Sequence, residues 1–113
     1  MRYLLLVCGD EAEQLTPEQT RHRYEDYLAC EAEMEARGAL LSRERLRPIS
    51  SATTVRVRHG ELILADGPFA ETKEQIAGYF LVDCRDLDEA VELASLIPAA
   101  QYSTIEVRPV WEM

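Results

Sequence analysis

From Arg2 to Cys8 the chain reads RYLLLVC, a nearly unbroken apolar run of strand length, as expected of a strand covered on both faces. Gly9 and Asp10 end it. Thr16, Pro17 and Gln19 then combine a hydroxyl cap, a first-turn proline and a capping-box partner, which predicts a helix from Thr16 to Arg37 with Gly38 as its stop. Helical periodicity puts Tyr24, Tyr27, Leu28 and Met34 on its inward stripe. Glu31 and Glu35 fall into the same stripe, where carboxylates need partners or water.

Ala39 to Leu46 follows as a strand with Leu41, Arg43, Arg45 and Arg47 on one face, and Pro48 closes it. Thr53–Arg58 and Glu61–Ala65 flank His59-Gly60, the pattern of a tight hairpin. Ala77–Cys84 is a further strand, rich in aromatic and branched residues. Asp86 and Glu89 open a second helix carrying Leu87, Ala90, Val91, Ala94 and Ile97, which Pro98 closes. Ser103–Trp111 forms a last strand with Ile105, Val107, Pro109 and Trp111 alternating against polar neighbours.

Strand, helix, strand, hairpin, strand, helix, strand is a split β-α-β order, so the fold class is α+β, a ferredoxin-like subunit with an inserted β-hairpin. Two helices cover one face of such a sheet, yet the first and fourth strands are apolar on both sides. A second copy of the chain is the economical cover for the other face, and a homodimer with facing sheets is expected. The 113 residues fit one domain, 1–113.

Charge narrows the function classes. Against 12 basic side chains stand 21 acidic ones, a net charge of −9 that opposes direct nucleic-acid binding and anionic membrane surfaces. No window reaches the ~18 consecutive apolar residues of a membrane span. MRYLLLVCGDE reads as a strand rather than a signal peptide, and Cys8, Cys30 and Cys84 make no paired motif, which suits a reduced, cytoplasmic setting.

The stretch ATTVRVRHGELILADGPFAETKEQIAGYFLVD, the helix DLDEAVELASLIPAA and the ending STIEVRPVW resemble the DGPF-type branch of the YCII-related family over nearly the whole chain. The resemblance implies a dimeric α/β barrel of ferredoxin-like subunits. That architecture is shared by small enzymes such as muconolactone isomerases and by non-catalytic binding proteins. Some relatives are proposed to use a His and Asp pair with the His on the first helix; here the helical His22 lies nearly opposite the inward face, and the equivalent position is nearer Tyr27. DGPF-type relatives are also associated with sigma factors of the extracytoplasmic-function type, which implies a transcription-related protein partner as the alternative to chemistry.

Within DGPFAETKE, Asp66-Gly67-Pro68 has the composition of a turn, and Asp66 at a strand end is also the candidate general base. Phe69 is a candidate pocket wall, and the resemblance raises Lys73 and Glu74 as ligand contacts. Glu31 and Glu35 are expected to meet sheet arginines, Arg45, Arg56 or Arg58, either as ion pairs or around a wet cavity. His22 and His59 lack metal-ligand spacing, and no Gly-rich phosphate loop or G-x-S-x-G elbow occurs, so neither metal nor cofactor is expected. The expected ligand is a small polar metabolite in a cleft between helices and sheet, with acid and base chemistry of an isomerase-like or lyase-like kind.

Overall fold

The computed structural model describes residues 1–112. Its elements are β1 (Arg2–Gly9), α1 (Pro17–Ala36), β2 (Leu40–Arg45), β3 (Thr53–Arg58), β4 (Glu61–Asp66), β5 (Gln75–Asp83), α2 (Leu87–Ser95) and β6 (Thr104–Pro109). Each expected element has its counterpart, with ends moved by one or two residues. Thr16 caps α1 through a reciprocal capping box with Gln19, and Gly38 leaves it at φ 69°, a left-handed conformation that glycine adopts without steric cost. Asp86 caps α2 by accepting the Glu89 backbone N–H.

Four strands form one antiparallel sheet in the order β2-β5-β1-β6. β1 and β2 are therefore parallel with β5 between them, and β5 and β6 are parallel with β1 between them. This is the topology of two split β-α-β units, as the element order predicts.

One sheet face carries the core. Tyr3, Leu5, Val7, Phe80 and Val82 meet Cys30 and Met34 of α1 and Ala90, Leu93, Ala94 and Ile97 of α2 and its exit, and no polar residue is fully buried among the described residues. The stripe expected on α1 is only partly realised: Cys30 and Met34 are buried and Tyr27 is half-buried, whereas Tyr24 and Leu28 are exposed. On the opposite sheet face, Leu4 pairs with Leu81 and Leu6 with Tyr79, and neither helix covers them.

The hairpin is separate from this sheet. Among the described residues β3 and β4 pair only with each other, joined by His59 (φ 53°) and Gly60 (φ 77°), two positive-φ residues as a two-residue turn of matching twist requires. Val55, Val57, Leu62 and Leu64 share one face of it, all more than half exposed. The hairpin gives the chain a flat outline of 48 × 44 × 18 Å and a radius of gyration of 16.1 Å. A compact chain of this length would have roughly 13 Å.

Candidate functional site

A cleft of about 1230 Å³ opens on the helix side of the sheet. Its walls are the segment after β1, the first half of α1, the ends of β2 and β5 that lie together, and the turn before β6. Two interactions hold the walls. The Glu11 carboxylate accepts the Ile49 backbone N–H, tying the β1–α1 loop to the segment after β2. Ser103 places its hydroxyl between the Cys8 carbonyl and the Glu74 carboxylate, fixing the start of β5 against the end of β1.

The floor is a cluster of four residues from three elements. Glu31 of α1 forms an ion pair with Arg43 of β2, both only about a quarter exposed or less. One turn earlier on α1, Tyr27 stacks on Phe80 of β5, with ring centroids 6.4 Å apart and planes 13° from parallel. The Arg43 guanidinium carbon lies 5.1 Å from the Phe80 centroid and 5.6 Å from that of Tyr27. Arg43 is thus held by one carboxylate and two ring faces, a desolvated setting suited to arginine's flat, weakly hydrated cation. Its Nε is buried and has no hydrogen-bond acceptor among the described residues.

Burial pushes the Tyr27 phenol up to about 12, with the neighbouring Tyr102 adding to the shift, so Tyr27 remains a neutral donor at ordinary pH. Burial likewise raises the Cys30 thiol to about 11, which makes it an inert core residue. At the cleft's other wall, the Arg23 guanidinium carbon lies 3.6 Å above the Tyr102 ring and pairs with Glu13 at 2.7 Å. That pairing holds the Glu13 carboxyl below the usual carboxylate range.

The expected site residues divide between this cleft and the rest of the surface. Glu31, Arg45, Lys73 and Glu74 line the cleft. Asp66, Arg56, Arg58, Phe69 and Glu35 do not: Asp66 ends β4 opposite Thr53, Arg56 and Arg58 lie on the exposed hairpin, Phe69 is 83% exposed, and Glu35 faces solvent. The partner of Glu31 is Arg43, not Arg45, Arg56 or Arg58: the bulge between Leu40 and Ser42 sets Arg43 opposite Phe80, Arg45 lies two residues farther on opposite Gly78, and Arg56 and Arg58 are on the separate hairpin. Tyr27 as an acid, Arg43, Tyr102 and Ser103 were not singled out as site residues. For Arg43 the signal was available, since it shares the predicted strand face with Arg45 and lies closest along the chain to the helix.

DGPFAETKE also splits. Gly67, at φ 93°, is pinned to the hairpin base, donating its N–H to the Ala52 carbonyl and accepting from the Thr54 hydroxyl at 2.7 Å. Farther on, the Gln75 side chain donates to the Thr72 carbonyl and the Thr72 hydroxyl to that of Glu74, so the segment folds on itself before entering β5. Its first half belongs to the hairpin and its last residues to the cleft. Among the described residues no cluster of His, Cys, Asp and Glu is arranged to hold a metal ion, and no helix is long and apolar enough to cross a membrane.

A two-layer α+β subunit with an aromatic, charge-lined cleft between its first helix and its sheet is the class of protein these features define. The chain matches the YCII-related domain over residues 1–113 and belongs to that family. It is also similar to an uncharacterised protein of Rhizobium meliloti (strain 1021), 40% identical over 114 residues that cover 97% of this chain and 92% of the relative.

Proposed function

We propose that the protein, as a member of the DGPF-type branch, binds a small polar metabolite in the cleft between α1 and the sheet, and that it acts on this ligand by cofactor-independent proton transfer of an isomerase-like or lyase-like kind. The observation that carries this reading is the Tyr27, Glu31, Arg43 and Phe80 cluster. It combines a neutral phenol donor, a carboxylate and a cation on a partly desolvated floor that a small molecule can reach. Donors and acceptors brought together in a low-dielectric recess are the ingredients of acid and base chemistry.

A homodimer with facing sheets completes the proposal. Leu4, Leu6, Tyr79 and Leu81 on the bare face, with the exposed apolar side of the hairpin, are surfaces that water does not favour. Asp66, Phe69, Arg56 and Arg58 lie away from the cleft of their own chain, so their roles as base and ligand contacts require a second copy to bring them near a ligand. A cytoplasmic setting fits three unpaired thiols.

The test is thermal stabilisation across a metabolite panel, comparing wild type with Tyr27→Phe and Asp66→Asn. A hit that Tyr27→Phe weakens supports the cleft, and sensitivity to Asp66→Asn supports the cross-subunit base. No stabilisation by any metabolite would sink the binding reading. The same hairpin supports a second reading, a regulatory module presenting an apolar surface to a transcription partner such as an extracytoplasmic-function-type sigma factor. Under that reading, Val57→Asp and Leu62→Asp abolish partner capture while Tyr27→Phe has no effect.

A further inference from the structure

We infer that the ligand of this cleft is a small organic carboxylate with a flat apolar body, its anionic end held by Arg45 and Lys73. The inference rests on the metabolite-binding reading above and specifies the chemistry of that site.

Charge distribution is the first ground. Five of the chain's 12 cationic side chains line the cleft, but only six of its 21 acidic ones do, so most of the excess negative charge lies elsewhere. The cleft's carboxylates are nearly all engaged. Glu13 and Glu31 are paired with Arg23 and Arg43, Glu74 accepts from Ser103, Asp10 accepts the Ala12 N–H, and Glu11 accepts the Ile49 N–H. Glu44 stands opposite Tyr79 in the register, so strand alternation turns its side chain to the other sheet face.

The cations are not all engaged. Arg21, Arg23 and Arg43 each have a carboxylate, at distances up to 3.9 Å, whereas Arg45 and Lys73 have none among the described residues. Both line the cleft. Arg45 ends β2 opposite Gly78, and Lys73 precedes β5 by two positions, where the strand starts beside Gly9. Arg47, Arg56 and Arg58 also have no carboxylate among the described residues, but they lie outside the cleft; Arg45 and Lys73 are the two cations without counterions that line it, where an anion can meet both.

The floor selects among anions. A phosphate site is usually a set of free backbone N–H groups at a helix start, but the N-terminus of α1 is closed by its own Thr16 and Gln19 capping box. Of the two stacked rings Phe80 is buried, and the half-buried Tyr27 ring is the aromatic surface that the cleft offers to the flat side of a hydrocarbon. Tyr27, neutral at working pH, adds a hydrogen-bond donor as well. A carboxylate attached to a flat apolar body meets all three demands.

The test titrates benzoate, its uncharged analogue benzamide, and inorganic phosphate into the 15N-labelled full chain, following backbone amide shifts. Benzoate is expected to move amides of the cleft segments at an affinity at least about tenfold above that of benzamide, the loss expected when a charge-assisted contact is removed. Arg45→Gln and Lys73→Gln, at solvent-accessible positions and expected to keep the wild-type Tm, should each weaken benzoate several-fold and leave benzamide unchanged. Equal binding of benzoate and benzamide, indifference of benzoate to both substitutions, or tighter binding of phosphate at the same amides would overturn the carboxylate assignment while leaving the cleft a ligand site. Absence of cleft shifts with all three probes would overturn both.

Discussion

Glu31, on the first helix, and Arg43, on the strand that follows it, form an ion pair across the helix–sheet boundary with the Arg43 guanidinium laid against the rings of Phe80 and Tyr27. Each partner is mostly withdrawn from water. The pair therefore differs from the exposed pairs elsewhere on the surface, such as Arg108–Glu106, which contribute little. Replacing Glu31 by Ala strands a cation over two aromatic rings and is expected to cost about 1–3 kcal/mol, between the values for exposed and fully buried pairs. Arg43→Met, which keeps an apolar stem, should cost less. Urea unfolding midpoints of the two variants check the order, and the reverse order would show that Arg43 acts mainly through packing.

Tyr27 makes stability depend on pH at the alkaline end. Its folded pKa of about 12 exceeds the ordinary phenol value of 10.0, so between those values the unfolded chain gives up the proton more readily. Stability from this group is complete below the unfolded value and is lost as pH rises through the folded one. Tyr27→Phe should flatten the decline in Tm over that window and remove the latest phase of phenolate absorbance. Unchanged titration in the variant would mean that Tyr27 is not the late-ionising phenol.

Gly78 lets β2 and β5 approach closely. A Cβ at this position would stand 2.7 Å from the Glu44 carbonyl oxygen and 3.4 Å from the Arg45 Cα, both backbone atoms that yield only if the strand moves. Gly78→Ala is expected to destabilise by about 1–3 kcal/mol, as overpacking does, and to weaken ligand binding by displacing Arg45. Chemical denaturation combined with benzoate titration measures both effects. A neutral result in each would mean that the strands separate freely.

The thiols should differ in reactivity. Cys30 and Cys84 are buried, and burial drives the Cys30 value to about 11; Cys8 is partly accessible, although burial and then the carboxylates of Glu106 and Glu74 raise its value too. In the folded protein a thiol reagent at mildly alkaline pH should modify Cys8 first, and Cys8→Ser should abolish that fast phase. Rapid modification of Cys30 would indicate frequent opening of the α1 contact.

Leu6 tests the proposed dimer. It sits in the centre of the bare sheet face, between Tyr79 of β5 and Glu106 of β6. Wild type is expected to sediment as a dimer, and Leu6→Asp, which places a carboxylate where two sheets would meet, as the 12.9 kDa chain. A wild-type protein that sediments at that mass at every micromolar concentration would remove the second copy and the cross-subunit roles of Asp66, Phe69, Arg56 and Arg58 with it.

Local signals along the chain were enough to specify the elements and their order. The Thr16 and Asp86 caps, the Gly38 stop, the His59-Gly60 turn and the two-residue alternation of Ile105 and Val107 are short-range effects, decided by each residue and its near neighbours. The split β-α-β topology follows from that order because two helices can pack on one sheet face only one way around. Which charges meet was decided by tertiary structure. The bulge after Leu40 turns the Arg43 and Arg45 face of β2 to the side of Phe80, and the departure of the hairpin from the sheet carries Asp66, Arg56 and Arg58 away from the cleft that Glu31, Arg45, Lys73 and Glu74 share. Register and strand placement depend on contacts between residues far apart in the chain, and no local pattern of apolar and polar positions contains that information.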